Sequence, residues 1–95
     1  MTLNDIRDVI AARLDGKLRG SVRFDFTGLG SIRVDEGGAT TAADAADVEM
    51  TAKPETFLAI LNGEQNPVMA VMSRKLKIAG SPTRALKISE LLAAG

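Results

Sequence analysis

The 95-residue sequence contains no cysteine, histidine, tryptophan or tyrosine, and only three phenylalanines. Without cysteine there is no disulfide framework, no thiolate nucleophile and no iron–sulfur ligand. The joint absence of Cys and His removes the usual ligands of a structural zinc ion. Without histidine neither a Ser-His-Asp nor a Cys-His arrangement can be built, and the commonest general base near neutral pH is missing. No residue set calls for a cofactor. No run of about 18 apolar residues is present to span a membrane as a helix. Twelve basic side chains balance twelve acidic ones. That balance speaks against nucleic acid as a partner, because such binders carry a basic excess.

What remains is ordinary in bulk, 45% apolar and 25% charged, and predicts one domain over residues 1–95. A chain this short buries only about 60% of its unfolded surface, so its hydrophobic surplus is small. The polar, acidic start Met1-Thr2-Leu3-Asn4-Asp5 is unlike a signal peptide. The end, Leu91-Leu92-Ala93-Ala94-Gly95, is unlike a peroxisomal or lipidation signal. The expectation is a cytoplasmic protein.

Leu3, Ile6, Val9, Ile10 and Leu14 recur at helical spacing after a capping Thr2 or Asn4, with Arg7 and Arg13 near the stripe's margins and Gly16 as the stop. The period then switches to two. Val22, Phe24 and Phe26 alternate with polar residues, Gly28-Leu29-Gly30 breaks the run, and alternation resumes through Ile32 and Val34, which predicts an antiparallel hairpin. A turn at Asp35-Glu36-Gly37-Gly38 leads into a weaker stretch, Ala39–Asp44. Alternation returns at Ala46, Val48, Met50 and Ala52, so three or four antiparallel strands are expected, each apolar on one face. Pro54-Glu55 opens a helix closed by Gly63, and Asn66-Pro67 starts a second through Val68–Met72. Leu76 and Ile78 alternate with Lys75 and Lys77 in a further strand, and Ser81-Pro82 begins a final helix with Ala85, Leu86, Ile88, Leu91 and Leu92 on its apolar side. The fold class is α+β: a mostly antiparallel five-stranded sheet covered on one face by helices.

Candidate chemistry is sparse. Gly28-Leu29-Gly30 lies between strands with no helix N-terminus behind it, so a hairpin turn is a better reading than a phosphate loop. Asp44, Asp47 and Glu49 lack the spacing of a calcium loop and read as a solvated strand face. Charge is unevenly spread, with seven acidic residues and only Lys53 as a base between Asp35 and Glu64. Between Arg74 and Lys87 there are five bases (Arg74, Lys75, Lys77, Arg84, Lys87) and no acid. Such a stretch could meet anionic headgroups or a membrane surface in passing, although lysines protecting an edge strand are the plainer explanation. The apolar residues converge from sheet and helices. Met69 and Met72 are adaptable enough to line a site for aliphatic ligands, while a filled core explains the same inventory.

The second half favours the ligand. Asp47–Thr51, Pro54–Gly63 and the run Pro67-Val68-Met69-Ala70-Val71-Met72-Ser73-Arg74-Lys75-Leu76-Lys77-Ile78-Ala79-Gly80, followed by Ala85-Leu86-Lys87-Ile88, resemble the sterol carrier protein-2 family, well after Ala46 and more weakly before it. Arg74 stands where that family often has Gly before Lys-Leu-Lys, and Ser81-Pro82 replaces its more usual Asn or Asp. The resemblance implies an apolar tunnel between sheet and helices. It also implies non-enzymatic binding, and transfer, of a lipid: a fatty acyl chain, acyl-CoA, phospholipid or sterol. The few aromatic residues favour a flexible acyl chain. Expected lining residues are Phe24, Phe26, Val48, Met50, Phe57, Leu61, Met69, Met72, Leu76 and Leu86, and expected headgroup contacts are Arg74, Lys75, Lys77, Arg84 and Lys87. The alternative is an accessory or scaffold protein with a filled core that binds a protein partner, for example in isoprenoid-quinone or lipid metabolism. The oligomeric state stays open.

Overall fold

A computed structural model describes residues 2–94. Helix α1 (Leu3–Leu14) starts at a capping box, in which the Thr2 hydroxyl accepts from the Asp5 amide and the Asp5 carboxylate accepts from the Thr2 amide. Four strands follow, β1 (Val22–Phe26), β2 (Gly30–Asp35), β3 (Gly38–Thr40) and β4 (Val48–Ala52). Then come α2 (Pro54–Leu61), α3 (Pro67–Met72), β5 (Leu76–Ala79) and α4 (Pro82–Ala94). The sheet order is β3-β2-β1-β4-β5. In β1 and β4 the alternation is strict: Val22, Phe24, Phe26, Val48, Met50 and Ala52 are buried, and the residues between them are half-exposed. Helix α1 covers β2 and β3, α4 covers β4 and β5, and α2 packs on α4.

One expectation needs correcting. Three of the four pairings are antiparallel, but β4 runs parallel to β1, with Val22 opposite Val48 and Phe26 opposite Ala52. The meander β1-β2-β3 leaves β3 pointing the same way as β1 at the sheet edge. The chain then crosses back through residues 41–47 and enters β4 on the other flank of β1. Only Gly38–Thr40 of the weak stretch forms a strand, because the residues after it make this crossing.

The crossing is tied down by groups on the polar face of the sheet. Arg23 Nη1 donates to the Ala43 carbonyl and Arg33 Nε to the Ala45 carbonyl, both at 3.2 Å. At its end Ser21 and Asp47 bond reciprocally: the Ser21 amide donates to Asp47 Oδ2 (3.1 Å) and the Asp47 amide to Ser21 Oγ (2.9 Å). Arg23 and Arg33 lie directly opposite one another in register, which would be unfavourable for like charges alone. Carboxylates offset it, since Arg23 pairs with Asp25 (2.9 Å) and Glu49 (3.2 Å), and Arg33 with Asp35 (2.8 Å). Asp25 also accepts from Ser31 Oγ on β2 and Thr51 Oγ1 on β4, so one carboxylate joins three strands.

The core has an aromatic centre. Phe57 of α2 meets Phe24 and Phe26 edge-on, with ring centroids 5.8 and 4.6 Å apart, a geometry worth about 0.5–1.5 kcal/mol per pair beyond burial. Around it pack Ile6, Ile10 and Leu14 of α1 and Ala85, Ile88 and Leu92 of α4. Ser89 is fully buried among them and donates its hydroxyl to the Ala85 carbonyl at 2.9 Å, so no polar atom is stranded there. Arg13 joins three helices. Its guanidinium donates to the Leu61 carbonyl at the end of α2 and to the Leu92 carbonyl near the end of α4, a cation placed where helix carbonyls lack partners.

Two outcomes follow from these contacts. Arg13→Met keeps the aliphatic stem and deletes the donors, and should lower the unfolding free energy by about 1.5–3 kcal/mol in urea titrations; a loss below about 0.5 kcal/mol would mean that water serves those carbonyls equally well. The second concerns acid. Burial pushes the Asp25 carboxyl up, but hydrogen bonds from Arg23, Ser31 and Thr51 and the Arg23 charge outweigh it and hold the group below its ordinary value. A carboxyl lowered in the folded state stabilises the fold above the unfolded value of about 3.9, and that contribution is lost as pH falls through the lower folded value. Asp25→Asn should therefore flatten the decline in stability below about pH 4. An unchanged acid limb in parallel pH-dependent melts would refute the assignment.

Candidate functional site

The expected lining residues separate into two groups. Phe24, Phe26, Val48, Met50, Phe57, Leu61 and Leu76 are all buried in the one apolar cluster between sheet and helices. Leu86, on α4, is half-buried. Met69 and Met72 are placed differently from expectation, with 57% and 72% of their surfaces exposed. The reason lies in the shortness of α3. Six residues present one inward face, and Pro67 and Ala70, three apart, occupy it. Val71 packs partly against the core, while Val68, Met69 and Met72 are turned to solvent, so α3 fully buries no large aliphatic or aromatic side chain, unlike α1, α2 and α4. Its start is well made nonetheless, since Asn66 Oδ1 accepts from the Val68 amide (2.8 Å) and the Met69 amide (3.2 Å).

The expected headgroup residues also divide. Arg74, Lys75 and Lys77 line a cleft of about 560 Å³ formed by the ends of β1 and β4, the first turns of α2 and the α3–β5 connection. Lys53 joins them there, with Thr27, Thr51, Glu55, Thr56 and Gln65. Arg84 and Lys87 belong to a different cleft of about 250 Å³, shared with Lys17 and Arg19. Arg84 is engaged structurally, donating Nη2 to the Arg19 carbonyl at 2.6 Å. Lys53 and the threonines were not among the expected site residues. The available signal was Lys53 standing alone in an acidic stretch; what brings it to Lys77 is the pairing of β4 with β5, in which Thr51 faces Lys77.

Arg74 has a backbone φ of +63°, and among the described residues no other non-glycine residue takes a positive φ. Helices α2 and α3 end in the same motif. After α2 the Gly63 amide donates to the Ile60 carbonyl (3.1 Å) and the Glu64 amide to Ala59 (2.8 Å). After α3 the Arg74 amide donates to Val71 (3.1 Å) and the Lys75 amide to Ala70 (2.9 Å). The left-handed position is held by Gly63 in the first case, at φ +76°, and by Arg74 in the second. Glycine adopts this conformation without penalty and is the usual occupant. The cleft thus gains its guanidinium at a backbone cost of about 1–2 kcal/mol.

Asp5, Asp25 and Asp35, the carboxylates with displaced values, are all held below the ordinary range by hydrogen-bond donors, whereas a general acid at neutral pH needs a raised one. Among the described residues no group of three or more carboxylates is placed to hold a metal ion, and no helix is long and apolar enough to cross a membrane.

Comparison with known proteins bears on the whole domain. Residues 2–93 match the model of the SCP-2 sterol transfer family. The chain belongs to that family. Its fold superimposes on sterol carrier protein 2 of Aedes aegypti in complex with the C16 fatty acid palmitate, with a TM-score of 0.81, 19% identity and coverage of 99% of this chain and 98% of that one. It also superimposes on apo sterol carrier protein 2 of Yarrowia lipolytica, at TM-score 0.77 and 21% identity over 92% of this chain and 86% of that one. In sequence, hydroxysteroid dehydrogenase-like protein 2 of Rattus norvegicus is 42% identical over 50 residues, or 53% of this chain. Those residues amount to 10% of that protein's length.

Two backbone positions around the Lys75-Leu76-Lys77-Ile78 run favour glycine. The one before it falls at Arg74, where positive φ favours glycine. The one after it is Gly80, with φ +100°, where a Cβ would lie 2.5 Å from the Asp47 carbonyl oxygen. Only the second is occupied by glycine in this chain. Arg74→Gly should therefore stabilise the protein by about 0.5–1 kcal/mol, the relieved strain less the added unfolded-state entropy. Arg74→Val should destabilise it by about 1 kcal/mol or more. Chemical denaturation of both variants decides, and a less stable glycine variant would show that the guanidinium makes compensating contacts.

Proposed function

We propose that this protein is a non-enzymatic lipid carrier whose cargo is a single flexible acyl chain, held between the sheet and the helical layer. Family membership over residues 2–93 supports the class of function, and the palmitate held by its Aedes aegypti structural neighbour supports the choice of chain. The structural observation that carries the reading is α3, which fully buries only Pro67 and Ala70 and packs Val71 partly against the apolar cluster that holds Phe24, Phe26, Met50, Phe57 and Leu76. Outward movement of this short helix breaks few apolar contacts and exposes that interior. Met69 and Met72, now facing water, can then turn onto the chain, so that the expected lining set is completed only in the loaded protein. Each methylene buried contributes about 0.8 kcal/mol, less the cost of ordering the chain. Residues 1–95 act in this reading as one lipid-binding domain.

The absence of Cys and His from the sequence, and carboxylates shifted only downward, support a carrier rather than an enzyme. A second reading draws on the same exposed Val68, Met69 and Met72: an accessory domain with a permanently filled core that docks a protein partner through α3.

Titration of the protein with palmitate, followed by NMR of ¹³C-labelled methionine methyls, separates the two. The carrier reading expects saturable one-to-one binding, with shifts at Met69 and Met72 and at buried Met50. Absence of binding, with an empty protein after extraction into organic solvent, would overturn it and leave the docking domain. Binding that leaves Met69 and Met72 unshifted would refute the role of α3.

A further inference from the structure

We propose that the cleft between α2 and the α3–β5 connection is a site for a phosphate-bearing anion, distinct from the apolar interior. Lys53, Arg74, Lys75 and Lys77 line it, opposed by one carboxylate, Glu55. None of these four cations makes a side-chain hydrogen bond or ion pair among the described residues. Lys17, Arg19 and Lys87 are likewise without one among the described residues, whereas Arg7, Arg13, Arg23, Arg33 and Arg84 each donate to a carboxylate or a carbonyl. Four cations converging without partners repel one another, so an anion between them removes a standing cost.

The position of the cleft adds to its charge. It lies at the carboxyl ends of the parallel strands β1 and β4, where Thr27 follows one and Lys53 the other, and the Thr27 amide donates to the Ala52 carbonyl at 3.0 Å. Helix α2 begins there with no side-chain cap from Lys53; Pro54 has no N–H and the Thr56 and Phe57 amides donate to the Lys53 carbonyl, which leaves the Glu55 amide as the open donor of the first turn. Hydroxyls of Thr27 and Thr56 supply neutral donors on the same walls, beside Gln65, whose Nε2 also donates to the Asn66 carbonyl. This set is rich in donors, with the planar fork of an arginine and several ammonium groups around it, and suits the several oxygens of a phosphate better than the two of a carboxylate. A volume of about 560 Å³ admits a diphosphate or a phosphate with part of its ester group. The strain at Arg74 fits the same purpose, since glycine would suit the backbone and only a side chain serves an anion.

The phosphate could belong to a lipid headgroup or to a soluble phosphate compound, and the test distinguishes them. Inorganic pyrophosphate and dodecyl phosphate are each titrated calorimetrically at low ionic strength into the wild type and into Arg74→Gly, Lys77→Gln and the control Arg19→Gln. The proposal expects pyrophosphate to bind, roughly tenfold more weakly in Arg74→Gly and in Lys77→Gln, and unchanged in Arg19→Gln. Binding of dodecyl phosphate alone, with the same dependence on Arg74 and Lys77, supports the site and assigns it to a lipid headgroup. Failure of both ligands to bind, or equal weakening in Arg19→Gln, would overturn the proposal. Arg74→Gly relieves backbone strain, so a lost signal will not reflect unfolding, and palmitate binding by the same variant reports separately on the apolar interior.

Discussion

The parallel pairing of β1 with β4 is the constraint on which the rest of the molecule depends. It sets the two strands side by side with their carboxyl ends together, and every later element takes its place from that alignment. Helix α2 starts one residue after β4, so Phe57 arrives above Phe24 and Phe26, and the aromatic centre of the core is assembled. The same alignment lays Lys53 beside Thr27 and, through the β4–β5 register, brings Lys77 opposite Thr51. Core and cleft are thus two faces of one topological choice. The choice is enforced from the polar side of the sheet, where Arg23, Arg33, Ser21 and Asp47 hold the crossing chain by its backbone. Surface ion pairs alone would contribute little; these groups matter because they also satisfy the polar atoms of a segment that has no sheet of its own.

The helical layer is unevenly secured, and the unevenness has a functional sense. Arg13 draws the ends of α2 and α4 toward α1, and α1 and α4 each bury a stripe of residues over several turns. Helix α3 has neither device. It rests on a proline, an alanine and the partly buried Val71, whose burial contributes less than that of the larger aliphatic side chains of its neighbours. A carrier must open somewhere to load a chain longer than any surface cleft, and the opening falls most easily where the least apolar area is anchored. In the carrier reading proposed above, the exposed methionines of α3 gain apolar contacts only when the helix moves outward and a chain is bound.

Much of this was legible from residue patterns. Period-two alternation assigned the buried faces of β1, β2 and β4, and Pro54, Asn66-Pro67 and Ser81-Pro82 marked three helix starts. Strand direction was not legible, because alternation reads the same along either direction of a strand. The crossing at residues 41–47 shows no periodicity, since its bonds are made by its backbone to arginines elsewhere. The orientation of α3 escaped for a related reason. In the unbroken apolar run Val68–Met72 every residue looks equally suited to the core, and only packing decides that Ala70 faces in. The five basic residues of the second half formed one group in sequence but two in space, because Lys77 sits on β5 and Arg84 on α4, next to the loop before β1.

Arg74 shows how the local and global levels disagree, and disagreement of this kind carries information. Helix ends, the hydrogen bonds that close them and the backbone angle all point to glycine at position 74, as the end of α2 illustrates with Gly63. A residue that contradicts so consistent a local preference points to something the backbone does not register. Core packing is not that reason, because the side chain lies in an exposed cleft. Pairing within the chain is not the reason either, since the guanidinium has no carboxylate or carbonyl partner among the described residues. What remains is the charge itself, placed beside three lysines and Glu55 in the cleft that we propose as an anion site. A strained residue in a stable, well-capped setting is inexpensive to keep where binding depends on it, and costly to keep where nothing does.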